Sequence, residues 1–293
     1  MSSSDRLYRF TFEQFPVRGE IVVLDASWKA VIERHAYPPV VLEYLGQALA
    51  AATLMSATIK LEGTLIMQLQ GDGALRTLVA QATDRRTVRG IARTAEGADV
   101  AAGDLRAALG HSRMVITAEA PGRERYQGIV AVEQPTIAAV IEAYFAQSEQ
   151  LPTRLWLAAQ DGVAAGLLLQ RMPAAERPAD DEDWQRVCVL ADTLGAAELV
   201  SVPPRELLRR LFHEEDVRLF DPEPVAFRCT CSRERIADAL RALGREEVDG
   251  IVHERGAVDA DCEFCNAHYR FDAVDVAALF VDATPAVPPP AEQ

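Results

Sequence analysis

A chain of 293 residues, 49% of them hydrophobic, is long enough for two domains and one sizeable core. Its formal net charge of -14 argues against nucleic acid as a main partner, because phosphate binding needs a basic surface. The opening MSSSDRLYRF lacks the apolar centre of a secretory signal, and no run approaches the roughly 18 apolar residues of a membrane span, so a cytoplasmic protein with no membrane partner is expected.

DRLYRFTF (5–12) alternates and predicts a strand. Ser27 is placed to cap a short helix running to His35. Pro38 and Pro39 fit the start of a long helix, where a missing N–H costs little. Leu42, Leu45, Leu49, Ala52 and Ile59 mark its apolar face. LIMQLQ (65–70), LVAQA (78–82) and VRGIA (88–92) read as strands, with turns at Gly71-Asp72-Gly73 and Asp84-Arg85-Arg86. No lysine follows the GDG and no Walker A occurs, so these glycines read as hairpin turns and not as a phosphate cradle. Asp104 to Leu109 predicts a short helix ended by Gly110. MVITAE (114–119) and YQGIVAV (126–132) form a hairpin about Pro121-Gly122. Thr136 caps a helix carrying Ile137, Val140, Ile141, Tyr144 and Phe145. TRLWLAAQ (153–160) and AAGLLLQRM (164–172) pair about Asp161-Gly162. The class is α+β, with an N-terminal, mainly antiparallel sheet domain and packed helices over 1–173.

After Met172 the composition shifts to PAAERPADDEDWQ, an exposed acidic hinge. Trp184, Val187, Cys188, Ala191 and Leu194 then share one helical face. Pro203-Pro204 restarts a helix carrying Leu207, Leu208, Leu211 and Phe212. Stripes this short are unstable alone, so this helical linker (174–224) is expected to dock on the sheet of the main domain. Cys188 reads as a buried small hydrophobe; the sharper alternative is a thiol uncovered when the linker opens. VRLF (217–220) predicts a strand ended by Asp221-Pro222.

A small C-terminal domain (225–283) follows, and 284–293 reads as a disordered tail. Ser232 is a candidate N-cap for a helix with Ile236, Ala237, Leu240 and Leu243 inward, ended by Gly244. Glu246–Val252 and Asp275–Val281 suggest two more helices. Four of the five cysteines sit here in two tight pairs, Cys229 with Cys231 and Cys262 with Cys265, thirty residues apart. Tetrahedral zinc takes four soft ligands, and each short pair supplies two from one turn. CxxC is the ordinary knuckle spacing; CxC is tighter and fits a plain zinc ribbon poorly. The bland alternative is a pair of cysteine clusters with no metal. Arg228, Arg233 and Arg235 flank the first pair, and positive charge favours thiolate, the form that binds zinc and that oxidants attack. One zinc per chain in the reduced state is therefore expected on Cys229, Cys231, Cys262 and Cys265. The second pair is placed on a hairpin covered by Tyr269 and Phe271. His268 could replace a thiolate, but four sulfurs already complete the tetrahedron; His213 and His253 read as surface groups. There is no G-x-S-x-G, no H-E-x-x-H and no other catalytic set, so no enzyme is expected.

CTCSRER, EEVDGI and DCEFCNAHYRF resemble the C-terminal zinc domain of the heat shock protein 33 family of redox-regulated chaperones. The similarity continues upstream through QLQGDG, VRGIAR, YQGIV, YFAQSEQLPTRLWL, LLLQRMP and LFHEEDVRLFDP, covering nearly the whole chain. It implies an ATP-independent holdase, off when reduced and zinc-bound, on when oxidised, binding unfolded client proteins and forming a homodimer. The resemblance also implies a linker that unfolds after the zinc domain does. Joining of neighbours on oxidation, Cys229–Cys231 and Cys262–Cys265, is the simplest pairing by proximity and matches the family pattern. The rival from another class is a thiol–disulfide oxidoreductase using Cys262 and Cys265. A structural zinc module that binds a protein partner is a third alternative.

Overall fold

Period-two alternation builds two six-stranded sheets into the first of two compact units, Met1–Arg228; the second unit is Cys229–Gln293. The computed structural model describes residues 5–59, 62–173 and 181–281. Part of the acidic hinge and the tail expected at 284–293 lie outside these residues.

Sheet A contains β1 (Arg6–Phe12), β2 (Val17–Leu24), β8 (Thr153–Gln160), β9 (Val163–Arg171), β10 (Val217–Leu219) and β11 (Glu223–Pro224). Its order is β10-β1-β2-β9-β8, with β11 also on β1. Sheet B contains β3 (Thr64–Gly71), β4 (Leu75–Thr83), β5 (Thr87–Thr94), β6 (Ser112–Glu119), β7 (Tyr126–Ala131) and β12 (Ala226–Phe227), in the order β12-β5-β4-β3-β6-β7. Strands pair antiparallel except β12 with β5. β2 was not expected from the sequence, because Gly19 and Glu20 interrupt its apolar run. Gly19 is required there: the Phe10 ring lies over it, and a Cβ would stand 2.1 Å from the ring.

The long helix α2 (Pro39–Thr58) packs its side chains against both sheets and is buried almost all round. Its alanines and Gly46 permit the approach; a Cβ on Gly46 would meet that of Ala159 at 2.4 Å. By length and composition alone this helix could cross a membrane, but 72% of its most apolar window is buried inside the protein. The short helix α1 (Ala26–Ile32) starts one residue before Ser27, so Ser27 is not its cap. Asp5 does that work from β1's end of the chain, accepting from the backbone N–H groups of Asp25, Ala26 and Ser27 at 2.6, 2.9 and 2.6 Å. Helix α4 (Ile137–Tyr144) carries the expected cap, Thr136, and α3 (Leu105–Leu109) is capped by Asp104, read from the sequence as its first residue.

Helices α5 (Asp181–Ala191), α6 (Ala196–Ser201) and α7 (Pro204–Leu211) follow. Their Val187, Ala191, Leu199, Leu207, Leu208 and Leu211 form one cluster with Phe10, Phe12, Ile21, Leu167 and Leu169 of sheet A. Residues 217–228 then act as a strap: β10 and β11 add to sheet A, and β12 adds to sheet B. Arg9 and Arg86 both grip Glu223 on this strap.

The second unit contains α8 (Arg233–Leu243), α9 (Arg245–Arg255), the hairpin β13 (Ala257–Asp261) and β14 (His268–Asp272), and α10 (Ala273–Leu279). Its core is small: Ala237, Leu240, Val248, Val258, Phe271, Val276 and Leu279. Phe271 belongs to this core and is 1% exposed.

Candidate metal centre

Two local devices deliver four sulfurs to one point. Cys229 and Cys231 lie on the extended lead-in to α8, whose Ser232 Oγ accepts the N–H of Arg235 and so starts the helix directly after Cys231. Cys262 and Cys265 lie in the turn between β13 and β14. There the N–H groups of Cys265 and Asn266 both donate to the carbonyl of Cys262, at 3.2 and 2.7 Å, and the Cys262 N–H donates to Ala267. Asn266 takes the left-handed conformation that closes the knuckle, φ 55°.

The four ligand atoms lie within 4.8 Å of one another. Cys229 Sγ is 3.6 Å from Cys262 Sγ, and Cys231 Sγ is 3.3 Å from Cys265 Sγ. Sulfurs about 2.3 Å from a tetrahedral zinc stand about 3.8 Å apart, so this donor set fits that ion. Among the described residues no other group of three or more His, Cys, Asp or Glu side chains is so placed. Tyr269 donates its hydroxyl to Cys231 Sγ at 3.2 Å, a contact that raises its own pKa to about 12.

The thiols are not equivalent. Burial raises Cys229, but the Cys231 N–H and the neighbouring thiols donate to its sulfur and bring it down to about 7. Burial raises Cys262, and burial together with the adjacent sulfurs pushes Cys265 up to about 12. Burial thus holds Cys262 and Cys265 toward the protonated thiol. Arg233 stacks on the Phe271 ring at 4.2 Å and bonds Asp275 and the Arg270 carbonyl, while Arg235 bonds Thr230.

His268 does not enter the sulfur cluster. Its ring nitrogens face Asp261 at 2.8 Å and Asp259 at 3.2 Å. Cys188 is 6% exposed on α5, and burial pushes its thiol to about 11, the state of an inert packing group. The CxxC pair sits between strands and not at a helix N-terminus, where a thiol–disulfide oxidoreductase would activate it.

The family model described as Hsp33 protein matches residues 5–272. Curated relatives named 33 kDa chaperonin include one from Nitrosococcus oceani, 52% identical over 282 residues and covering 96% of each chain. Another, from Escherichia coli K12, is 42% identical over 292 residues, covering 98% of this chain and 99% of that one. A crystal structure of a 33 kDa chaperonin from Thermotoga maritima has the same fold, with a TM-score of 0.81 at 23% identity over 94% of this chain and 97% of that one. An α+β fold with four converging cysteines, a family match over nearly the whole length and relatives named as chaperonins agree: this chain belongs to the Hsp33 protein family.

Proposed function

We propose that the chain is a redox-regulated, ATP-independent holdase that keeps unfolding proteins from aggregating. It rests while Cys229, Cys231, Cys262 and Cys265 hold one zinc ion, and it acts once they are oxidised. What carries this is the convergence of four thiols in a unit whose hydrophobic cluster, among the described residues, holds seven buried side chains. A core of that size supplies a few kcal/mol at most. Zinc on such a site supplies on the order of 10 kcal/mol of binding free energy, which is also folding free energy.

On oxidation, two thiolates lose one electron each and form an S–S bond. With hydrogen peroxide the O–O bond takes up both electrons and two protons and leaves as two waters. The pairing decides the outcome, and all three pairings are within reach. Either crossed pairing, such as Cys229–Cys262 with Cys231–Cys265, would staple the two loops together as the ion did. Neighbour pairing, Cys229–Cys231 and Cys262–Cys265, leaves the loops unlinked, and only that outcome ties oxidation to loss of the fold. The chain upstream of Cys229 is the linker of this reading (174–224). Release of its helices, α5 to α7, would uncover the Leu207, Leu208, Leu211 and Phe212 stripe and the Phe10, Phe12 and Phe15 surface beneath it. Apolar patches of that kind bind non-native chains and hold them back from aggregation.

Reduced protein is expected to contain one zinc per chain and to leave an aggregating client unprotected. Peroxide with mild warming is expected to release the zinc and to bring protection, and peptide mapping should return the neighbour disulfides. An oxidised, zinc-free protein that cannot hold a client, or crossed disulfides in the active form, would overturn the proposal.

A further inference from the structure

Most sheet edges in the first unit are short or guarded. On β8 the outward N–H of Leu155 donates to Glu142 Oε1 of α4 at 2.8 Å. β10 has three residues, and β11 and β12 have two each. β7 differs, with six residues at the end of sheet B and β6 as its single strand partner. The Val132 N–H donates to the Ser112 carbonyl, and the β6–β7 register runs without a bulge. The backbone groups of the even-numbered residues therefore face β6, and those of Gln127, Ile129 and Ala131 face outward. Among the described residues, these three N–H and three C=O groups have no partner in the protein.

Natural sheets protect such an edge with charge, proline, a bulge or brevity. YQGIVAV (126–132) contains no charge and no proline. Tyr126 and Ile129 are 49% and 65% exposed. Tyr126 lies on the face of Tyr144, its hydroxyl 3.3 Å away, and Ile129 lies on the opposite face. An added strand would thus find an apolar neighbour on each side.

We propose that the outer edge of β7 is a docking strip for extended, uncharged apolar segments of unfolded polypeptide, which add to sheet B as a further strand. A backbone ladder reads no sequence, which suits a protein that must hold many different chains. The strip rests on the client-holding part of the function proposed above, not on its redox part. It is open with the cysteines reduced, so it binds weakly in both states. Tight holding follows when the surface under the linker opens and both sites engage one client chain.

The test uses the full-length protein and a permanently unfolded probe, reduced carboxymethylated α-lactalbumin. Saturating probe is expected to slow amide exchange at Gln127, Ile129 and Ala131 about tenfold in both redox states. The Tyr126, Gly128 and Val130 amides stay protected throughout. Ile129→Pro removes an outward donor without breaking the ladder to β6. It is expected to weaken probe binding to the reduced protein about tenfold, and Ile129→Thr to bind as the parent does. Should the proline variant fold poorly, Ile129→Lys places a guarding charge on the same strip and is expected to weaken binding likewise. Probe that binds without slowing the three amides, or binds the proline and lysine variants normally, overturns the strip alone. A proline variant that changes the sedimenting mass yet binds probe normally assigns the edge to a second copy of the chain and overturns it too. Oxidised parent that binds no probe anywhere overturns the holdase reading and the strip with it.

Discussion

Glu20 is 2% exposed, and its carboxylate accepts the Thr58 hydroxyl at 2.8 Å. Burial raises its pKa to about 7; Thr58, Arg18, Arg86 and Arg9 offset that only in part. A carboxyl whose folded pKa lies above its unfolded value costs stability at high pH, and the cost fades as pH falls from about 7 toward about 4.5. Glu20→Gln is therefore expected to stabilise the protein by roughly 1–3 kcal/mol at about pH 8 and to flatten the pH dependence below it. Denaturant melts of parent and variant between about pH 5 and 8 check this, and equal stabilities at the upper end would contradict it. Single residues were legible where chemistry follows from spacing in the chain. The four cysteines, and the caps Thr136 and Ser232, are of that kind. Asp5 was not, because it caps a helix twenty residues away. Nor were the partners of Arg233 and Arg235, which only the packed neighbours reveal.

Among elements, the linker helices show what an amphipathic stripe can and cannot say. The α5 and α7 stripes identify the buried faces, and Leu207 is fully buried in the cluster on sheet A. Leu207→Ala is expected to cost about 2–4 kcal/mol of that docking. Limited proteolysis of the reduced variant should then cut within 181–212 faster than in the parent; an unchanged rate would show that α7 is held chiefly by something else. α6 escaped notice because six residues after Gly195 carry no side-chain cap and too few turns for a period. β2 escaped because its glycine and its glutamate, both dictated by tertiary neighbours, hide the strand. α2 was legible as a helix, and its alanine content as the mark of a central one, although burial on every side leaves little contrast between its faces.

For the whole molecule, the boundary between units falls after Arg228 because the linker helices pack on sheet A. The first unit has a continuous core spanning both sheets and α2, while the cluster in the second holds, among the described residues, seven buried side chains. A strong chelator applied to the reduced protein is accordingly expected to shift the melting of the second unit to lower temperature and to leave that of the first in place, giving two separate transitions in a thermal scan. A single transition, unshifted by the chelator, would show that the second unit does not depend on its metal. The strap at 217–228 adds one more result. Its hydrogen bonds reach both sheets, and the arginine pair on Glu223 fixes its middle, so the peptide entering Cys229 has a fixed root. An opened C-terminal unit would remain leashed at that root. Its two cysteine loops would stay in each other's neighbourhood, so that reduction could rebuild the centre by a local search within one molecule.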